Sequence, residues 1–424
     1  MSATATATAS TRTASRHFAS PRQDGAVFAS IILAGASMVN VSAKLGVTAG
    51  DAIALALSPV ILSVLKSSRQ ARILLILTFV QMLAIFSSDT LHHVSTQRAL
   101  GACVDPLLTL VIGLAVFALL RSKPGSLRFI LAVFFGSHFL YFVVHPTDNV
   151  LSDPWKFLVA IPVTFIMIIW LAVRPLHTPA RLRTAALLLV VLSAVNLFAG
   201  FRSLAATTLL SAVVCAFGGS RTAWSPRKIV FASVASAFAL FGLYTVYGHV
   251  ASNGSLGATQ QTVYAYQGNT NAGLLATARP GLFLSTTAIR HHPLFGIGTS
   301  MPLSSDEQSE AFGTMSGLGL SVELGQQLHL TENGVESHSI LLGAWVEAGP
   351  LAMAPLVYVF VLGLSACRRQ TRTGIYPLLV LWTAFQAWDL LFSPWSQHYQ
   401  YLLGPYVGLM LFARTYNEGG ESGA

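Results

Sequence analysis

Charge is what this chain has least of. Only 10% of its 424 residues are charged, against roughly 25% in soluble globular chains. A surface so poor in charge cannot keep 45.2 kDa of protein in water, and that excludes a soluble enzyme, a disordered regulator and a collagen-like fibre. Cysteine is scarce too. Cys103, Cys215 and Cys367 are too few and too far apart for a disulfide framework or a zinc site. Each lies in or beside an apolar run, where cysteine behaves as a small hydrophobe. Residues 1–24 lack an apolar core of the signal-peptide kind and read as a disordered cytoplasmic tail. No repeat of fixed period is visible. Also missing are a P-loop, a Gly-x-Ser-x-Gly elbow and a paired-aspartate motif for a nucleotide-sugar metal site, so nucleotide substrates are not indicated.

What the chain has is hydrophobic length. Hydrophobic residues make up 53% of it, and its mean hydropathy is +0.63. Apolar runs near the length of a bilayer-crossing helix, about 20 residues, fall at 26–46, 51–66, 71–88, 99–120, 128–145, 156–174, 183–200, 203–219, 229–249, 339–366, 374–392 and 397–414. The expected fold is all-α: a polytopic membrane protein of about 12 transmembrane helices with a long outer-face loop. Two runs, 51–66 and 203–219, are short, and Gly349-Pro350 can split the run 339–366.

The formal net charge of +9 could suggest nucleic acid, but the basic residues sit between apolar runs and read as topology signals. With the N-terminus inside, 19 of the 25 Lys and Arg fall on the cytoplasmic side. Only Lys44, Arg98, Lys156, Arg202, Arg279 and Arg290 fall on or near the outside. This bias favours twelve spans, with a second cytoplasmic tail at 415–424. The domain layout is then spans one to nine over 25–249, an outer loop at 250–338, and spans ten to twelve over 339–414. Long loops in compact proteins are usually functional. Part of this one, Pro280 to Ile289, is apolar enough for a helix on the membrane surface.

Candidate chemistry gathers on that outer face. Arg202, Arg279 and Arg290 run against the positive-inside bias. Each could be a snorkelling side chain at a helix end. The sharper alternative is an anion site, because guanidinium forks suit phosphate and pyrophosphate. His338 stands where the loop re-enters the membrane, at the expected start of a helix. There it is either a packed interfacial histidine or a neutral imidazole able to take a proton from a hydroxyl. Glu347 follows nine residues later, on the opposite helix face at 100° per residue, and is a candidate for substrate contact rather than for orienting His338. Asp389 and Trp388 could touch a polar ligand. His92-His93 and His291-His292 do not form a metal site by spacing, and Gly296-Ile297-Gly298 reads as a tight turn, not a dinucleotide fingerprint.

The order of these motifs resembles the O-antigen ligase and O-antigen polymerase superfamily. An arginine between two spans (Arg202) precedes a long outer loop. That loop holds Arg279 and His292-Pro293-Leu294-Phe295-Gly296-Ile297-Gly298, and His338-Ser339 and Glu347-Ala348-Gly349 follow. Here Ser339 stands where the family commonly has Asn. The resemblance implies a GT-C-type glycosyltransferase in the bacterial inner membrane, with its site on the periplasmic face. It would move a glycan from undecaprenyl pyrophosphate to a hydroxyl of lipid A-core or of another glycan. It also implies that Arg202 and Arg279 hold the pyrophosphate and His338 is the base. Neither cofactor nor metal is expected, and transfer should invert the anomeric centre. The polymerase branch, a flippase for lipid-linked sugars and a non-catalytic envelope scaffold are the alternatives.

Overall fold

The computed structural model describes residues 21–37, 39–42, 47–171, 179–218, 226–268, 277, 279–320, 335, 337–371, 373–394 and 397–416. Both expected terminal tails lie largely outside these residues. Among the described residues the architecture is helical apart from one small antiparallel hairpin, β1 (Asn40–Ser42) with β2 (Val47–Thr48). Helices α1 (Pro21–Ala36), α2 (Ala49–Ala56) and α3 (Ser58–Ser67) lead into α4 (Arg69–Leu91), α5 (Thr96–Ser122), α6 (Leu127–Val144) and the short α7 (Asp148–Ser152). A π-turn at Trp155–Val159 opens α8 (Ala160–Leu171), followed by α9 (Pro179–Phe198), α10 (Arg202–Gly218) and α11 (Pro226–Ser252).

Among the described residues of the expected outer loop lie three further helices: α12 (Ala258–Gly268), α13 (Gly281–His291) and α14 (Ser305–Gly317). A helix, α13, forms over the stretch Pro280–Ile289, and Asp306, Glu307 and Glu310 lie in the first turns of α14. There Ser304 and Glu307 close a capping box. The chain ends with α15 (Ile340–Ala348), α16 (Ala354–Arg369), α17 (Tyr376–Phe392) and α18 (Gln397–Thr415).

Helix occupies every one of the twelve apolar runs, but not as twelve unbroken rods. Among the described residues five helices are long and apolar enough to cross a membrane: Arg69–Leu91, Thr96–Ser122, Pro124–Val144, Arg227–Ser252 and Pro350–Arg369. A sixth is possible if α2 and α3, bent by 63°, count as one. Three departures from the expected spans have local causes. The first run stops at Ala36, where β-branched and polar residues turn into the hairpin. The second is cut at Leu57 by Pro59 in the first turn of α3. The run 339–366 breaks at Gly349, whose φ of 79° only glycine adopts readily, and Pro350 then opens a new 3-10 turn.

The core gathers on α17. It is predominantly apolar and is buried on nearly all sides, Thr383, Gln386 and Asp389 included. Trp382 is fully buried, with ring centroids 5.0 Å from Phe135, 5.4 Å from Phe165 and 5.8 Å from Tyr406. The opposite extreme is α11. Only 11% of its apolar window is buried, and it presents Phe231, Phe238 and Phe241 outward. This is the surface expected where lipid rather than protein is the neighbour.

Candidate functional site

The C-terminus of α17 is the platform on which the site is built. The last carbonyls of a helix have no partner within it, and here two of them are taken up by site elements. Phe392 O accepts from Arg279 Nε at 3.0 Å, and Leu390 O accepts from the Ser339 hydroxyl at 3.0 Å. A cation at a helix C-terminus also meets the negative end of its dipole. The Arg279 guanidinium lies 5.2 Å from the Phe392 ring centroid and 5.4 Å from that of Trp388. One edge of the fork is therefore anchored and the plane is flanked by rings.

His338 sits between two pinned serines. Ser339 is the N-cap of α15 and accepts from Leu342 N at 3.1 Å. Ser337 donates to Ser339 O at 2.9 Å, and its hydroxyl lies 3.1 Å from that of Ser285 on α13. Ser285, Ser337 and Ser339 are all buried. The chain on either side of His338 is thus pinned, and the residue stands just ahead of the N-cap Ser339 rather than inside the helix. Its Nδ1 is buried and has no hydrogen-bond partner among the described residues. Burial, and after it the charge of Arg279, hold the His338 pKa down to about 4. The ring is neutral at pH 7.

Arg202 opens α10, just after Gly200 turns the chain with φ 84°. A cation there opposes the helix dipole, while the free N–H groups of that first turn favour an anion. The guanidinium stacks 4.9 Å above the ring of Tyr247 on α11. Arg202 and Arg279 lie close enough to act on one another. Burial first, and Arg202 second, hold the Arg279 guanidinium below its ordinary value. Lys156, in the π-turn before α8, is a third cation within reach of both arginines, with Asp153 beside it. Arg279 thus links the neutral histidine to two further cations.

Not every candidate joins them. Arg290 ends α13 on the exposed surface and pairs with Glu310 of α14. His291 shares that carboxylate at 2.7 Å, and His292 meets Glu307 at 2.7 Å. The His291 hydrogen bond, with Arg290, keeps Glu310 below the usual carboxylate range. Glu347 lies at the far end of α15, with its side chain near Asp89 and Asp105. Its carbonyl accepts from the Ser88 hydroxyl at 2.8 Å and from Gly298 N at 3.1 Å. Asp389 is buried, and its Oδ1 accepts from the Ser393 hydroxyl at 2.7 Å. Among the described residues no three His, Cys, Asp or Glu side chains converge in a metal-holding arrangement.

Sequence reasoning missed the binding role open to Lys156, although it counted that residue among the outer cations. It also missed Tyr247 and Phe392. The signal for Lys156 was the same as for Arg202: a cation on the wrong side for the topology rule. Tyr247 and Phe392 carry no such signal, because aromatics at helix ends are common in membrane proteins.

No family model matches the chain, and a search of curated proteins gave no match either.

Proposed function

We propose that this chain is a membrane glycosyltransferase of the O-antigen ligase type. It takes a glycan from undecaprenyl pyrophosphate and passes it to an acceptor hydroxyl during surface polysaccharide assembly. In this reading the apolar runs make twelve crossings of the bacterial inner membrane, and the site faces the periplasm. The observation that carries it is Arg279, anchored on Phe392 O, standing near a neutral His338 and within reach of two further cations, Arg202 and Lys156. Crowded cations repel one another, and a pyrophosphate relieves that repulsion. Two guanidinium forks offer it bidentate contacts, and Lys156 adds a point charge.

The chemistry follows from those groups. The acceptor oxygen attacks the anomeric carbon and forms the new C–O bond. His338 takes the hydroxyl proton as the bond to the pyrophosphate oxygen breaks. The leaving group departs as polyprenyl pyrophosphate, its charge stabilised by the three cations. A single displacement inverts the anomeric centre. No general acid is needed, because pyrophosphate leaves without protonation, and the arginines supply the charge stabilisation that a divalent metal would otherwise give.

The test is a vesicle-reconstituted protein supplied with polyprenyl-pyrophosphate glycan and an acceptor, in EDTA. Release of free polyprenyl pyrophosphate with glycan transfer is the expected result. Single-step products identify a ligase and a ladder identifies a polymerase of the same superfamily. Movement of intact donor across the bilayer without turnover would overturn the reading in favour of a flippase.

A further inference from the structure

The segment Pro293-Leu294-Phe295-Gly296-Ile297-Gly298 is uncharged and takes no part in the site above. Its second half is a clip. Ile297 N donates to Val346 O at 2.7 Å and Gly298 N to Glu347 O at 3.1 Å, so the strip lies along the end of α15. Thr299 ties the same strip to α4, with its N–H 2.6 Å and its hydroxyl 3.0 Å from the Asp89 carboxylate. The first half does the opposite and points large apolar side chains outward. Leu294 is 70% exposed and Phe295 53%. In water such a pair is costly.

Its height relative to the crossing helices decides the matter. The apolar stretch Pro350–Arg369 has 20 residues, about 30 Å of helix, which matches the thickness of the hydrocarbon core. Pro350 therefore lies at one edge of that core. A Cβ on Gly349 would stand 1.9 Å from Leu294 O, so the Leu294 backbone touches this edge. A second helix gives the same level, because Ser88, in the last turn of the 23-residue α4, is bonded to Glu347 O. At the ends of the same two apolar stretches Leu351 and Leu91 are exposed as well. Trp345 holds the start of the segment, its indole N–H on Pro293 O at 2.9 Å. Tryptophan with an apolar body and a satisfied polar edge is the residue expected at headgroup depth.

We propose that Leu294 and Phe295, with Leu351, form an interfacial anchor inserted among the phospholipid acyl chains at the membrane edge. The occupant is lipid because the exposed pair is tied to the ends of the apolar helices α4 and α16 and sits where their apolar lengths end. The anchor sets the depth of α13, which follows Arg279, and of α15, which follows His338. The inference rests on reading the apolar helices as membrane crossings, not on the glycosyl-transfer chemistry.

The experiment places nitroxide labels at Leu294→Cys and Phe295→Cys, with Cys103, Cys215 and Cys367 replaced by alanine, in phospholipid vesicles. Collision with oxygen and with a water-soluble nickel chelate is compared at each label. Phe79→Cys, mid-α4 and exposed, is the lipid reference, and Ser309→Cys on α14 is the aqueous one. The expected result is oxygen collision several-fold above that of the chelate at 294 and 295, as at 79. A ratio like that at 309 overturns the anchor. So does poor access to both reagents, which would mean that a protein partner or a second copy covers the tip. A water-like ratio at 79 itself would refute the membrane crossing and the anchor with it. Should the cysteine-free background fail to fold, the native chain is photolabelled from a carbene-bearing phospholipid. Adducts on Leu294 or Phe295 support the proposal, and adducts confined to the crossing helices refute it.

Discussion

Replacing Arg279 with lysine keeps the positive charge and removes the fork. In the native protein Nε is held by Phe392 O at 3.0 Å and the guanidinium plane is flanked by Trp388 and Phe392. A lysine ammonium cannot make that anchor and present a planar pair of donors at once. A hydrogen bond involving a charged group contributes about 2 kcal/mol, and stacking against aromatic rings adds about 0.5–1 kcal/mol. Their sum corresponds to a loss of about 70- to 160-fold in kcat/KM. The loss should appear mostly in kcat, because the charge developing on the leaving pyrophosphate needs the fork more than ground-state binding does. The assay is release of polyprenyl pyrophosphate from vesicle-bound donor. A variant within threefold of wild type would refute the claim that the Arg279 fork, rather than its bare charge, contacts the leaving group.

Three further outcomes are expected. With a pKa near 4, His338 is neutral in about 97% of free molecules at pH 5.5, against about 9% for an unperturbed imidazole. The acid limb of kcat/KM against pH should therefore fall near 4; a limb at 6.5 would contradict the environment described for His338. Gly349→Ala puts a Cβ 1.9 Å from Leu294 O at a φ of 79°, and should cost about 2–4 kcal/mol of stability in thermal or denaturant unfolding. An unchanged unfolding midpoint would contradict the close approach. Asp89→Ala leaves the buried Thr299 N–H without its acceptor and should cost about 1–3 kcal/mol, read by the same measurement.

Some of this was legible in the sequence because it rests on one-dimensional signals. The apolar runs, the side-dependent distribution of Arg and Lys, and the break at Gly349-Pro350 are all properties of short windows. Arg202, Arg279 and His338 stood out because each is polar where its neighbours are not. Their convergence was not legible, since it depends on the C-terminus of α17 offering Phe392 O and Leu390 O to segments far away in the chain. Arg290 looked like Arg279 in sequence. Only the pairing of α13 with α14 shows that its charge is spent on Glu310. Glu347 was visible as a carboxylate in an apolar run, but its place beside Asp89 and Asp105 follows from the packing of α15 on α4. Helices α12 and α14 lay in a region too polar to show a helical period.

The central claim is that glycan transfer from a pyrophosphate carrier depends on His338 as base. The most direct measurement is single-turnover transfer, in EDTA, by wild type and by His338→Ala in vesicles, with donor binding measured on both. The account predicts equal donor binding, held by the three cations, and transfer by wild type alone. Equal transfer by both proteins would contradict it and leave His338 as a packing residue.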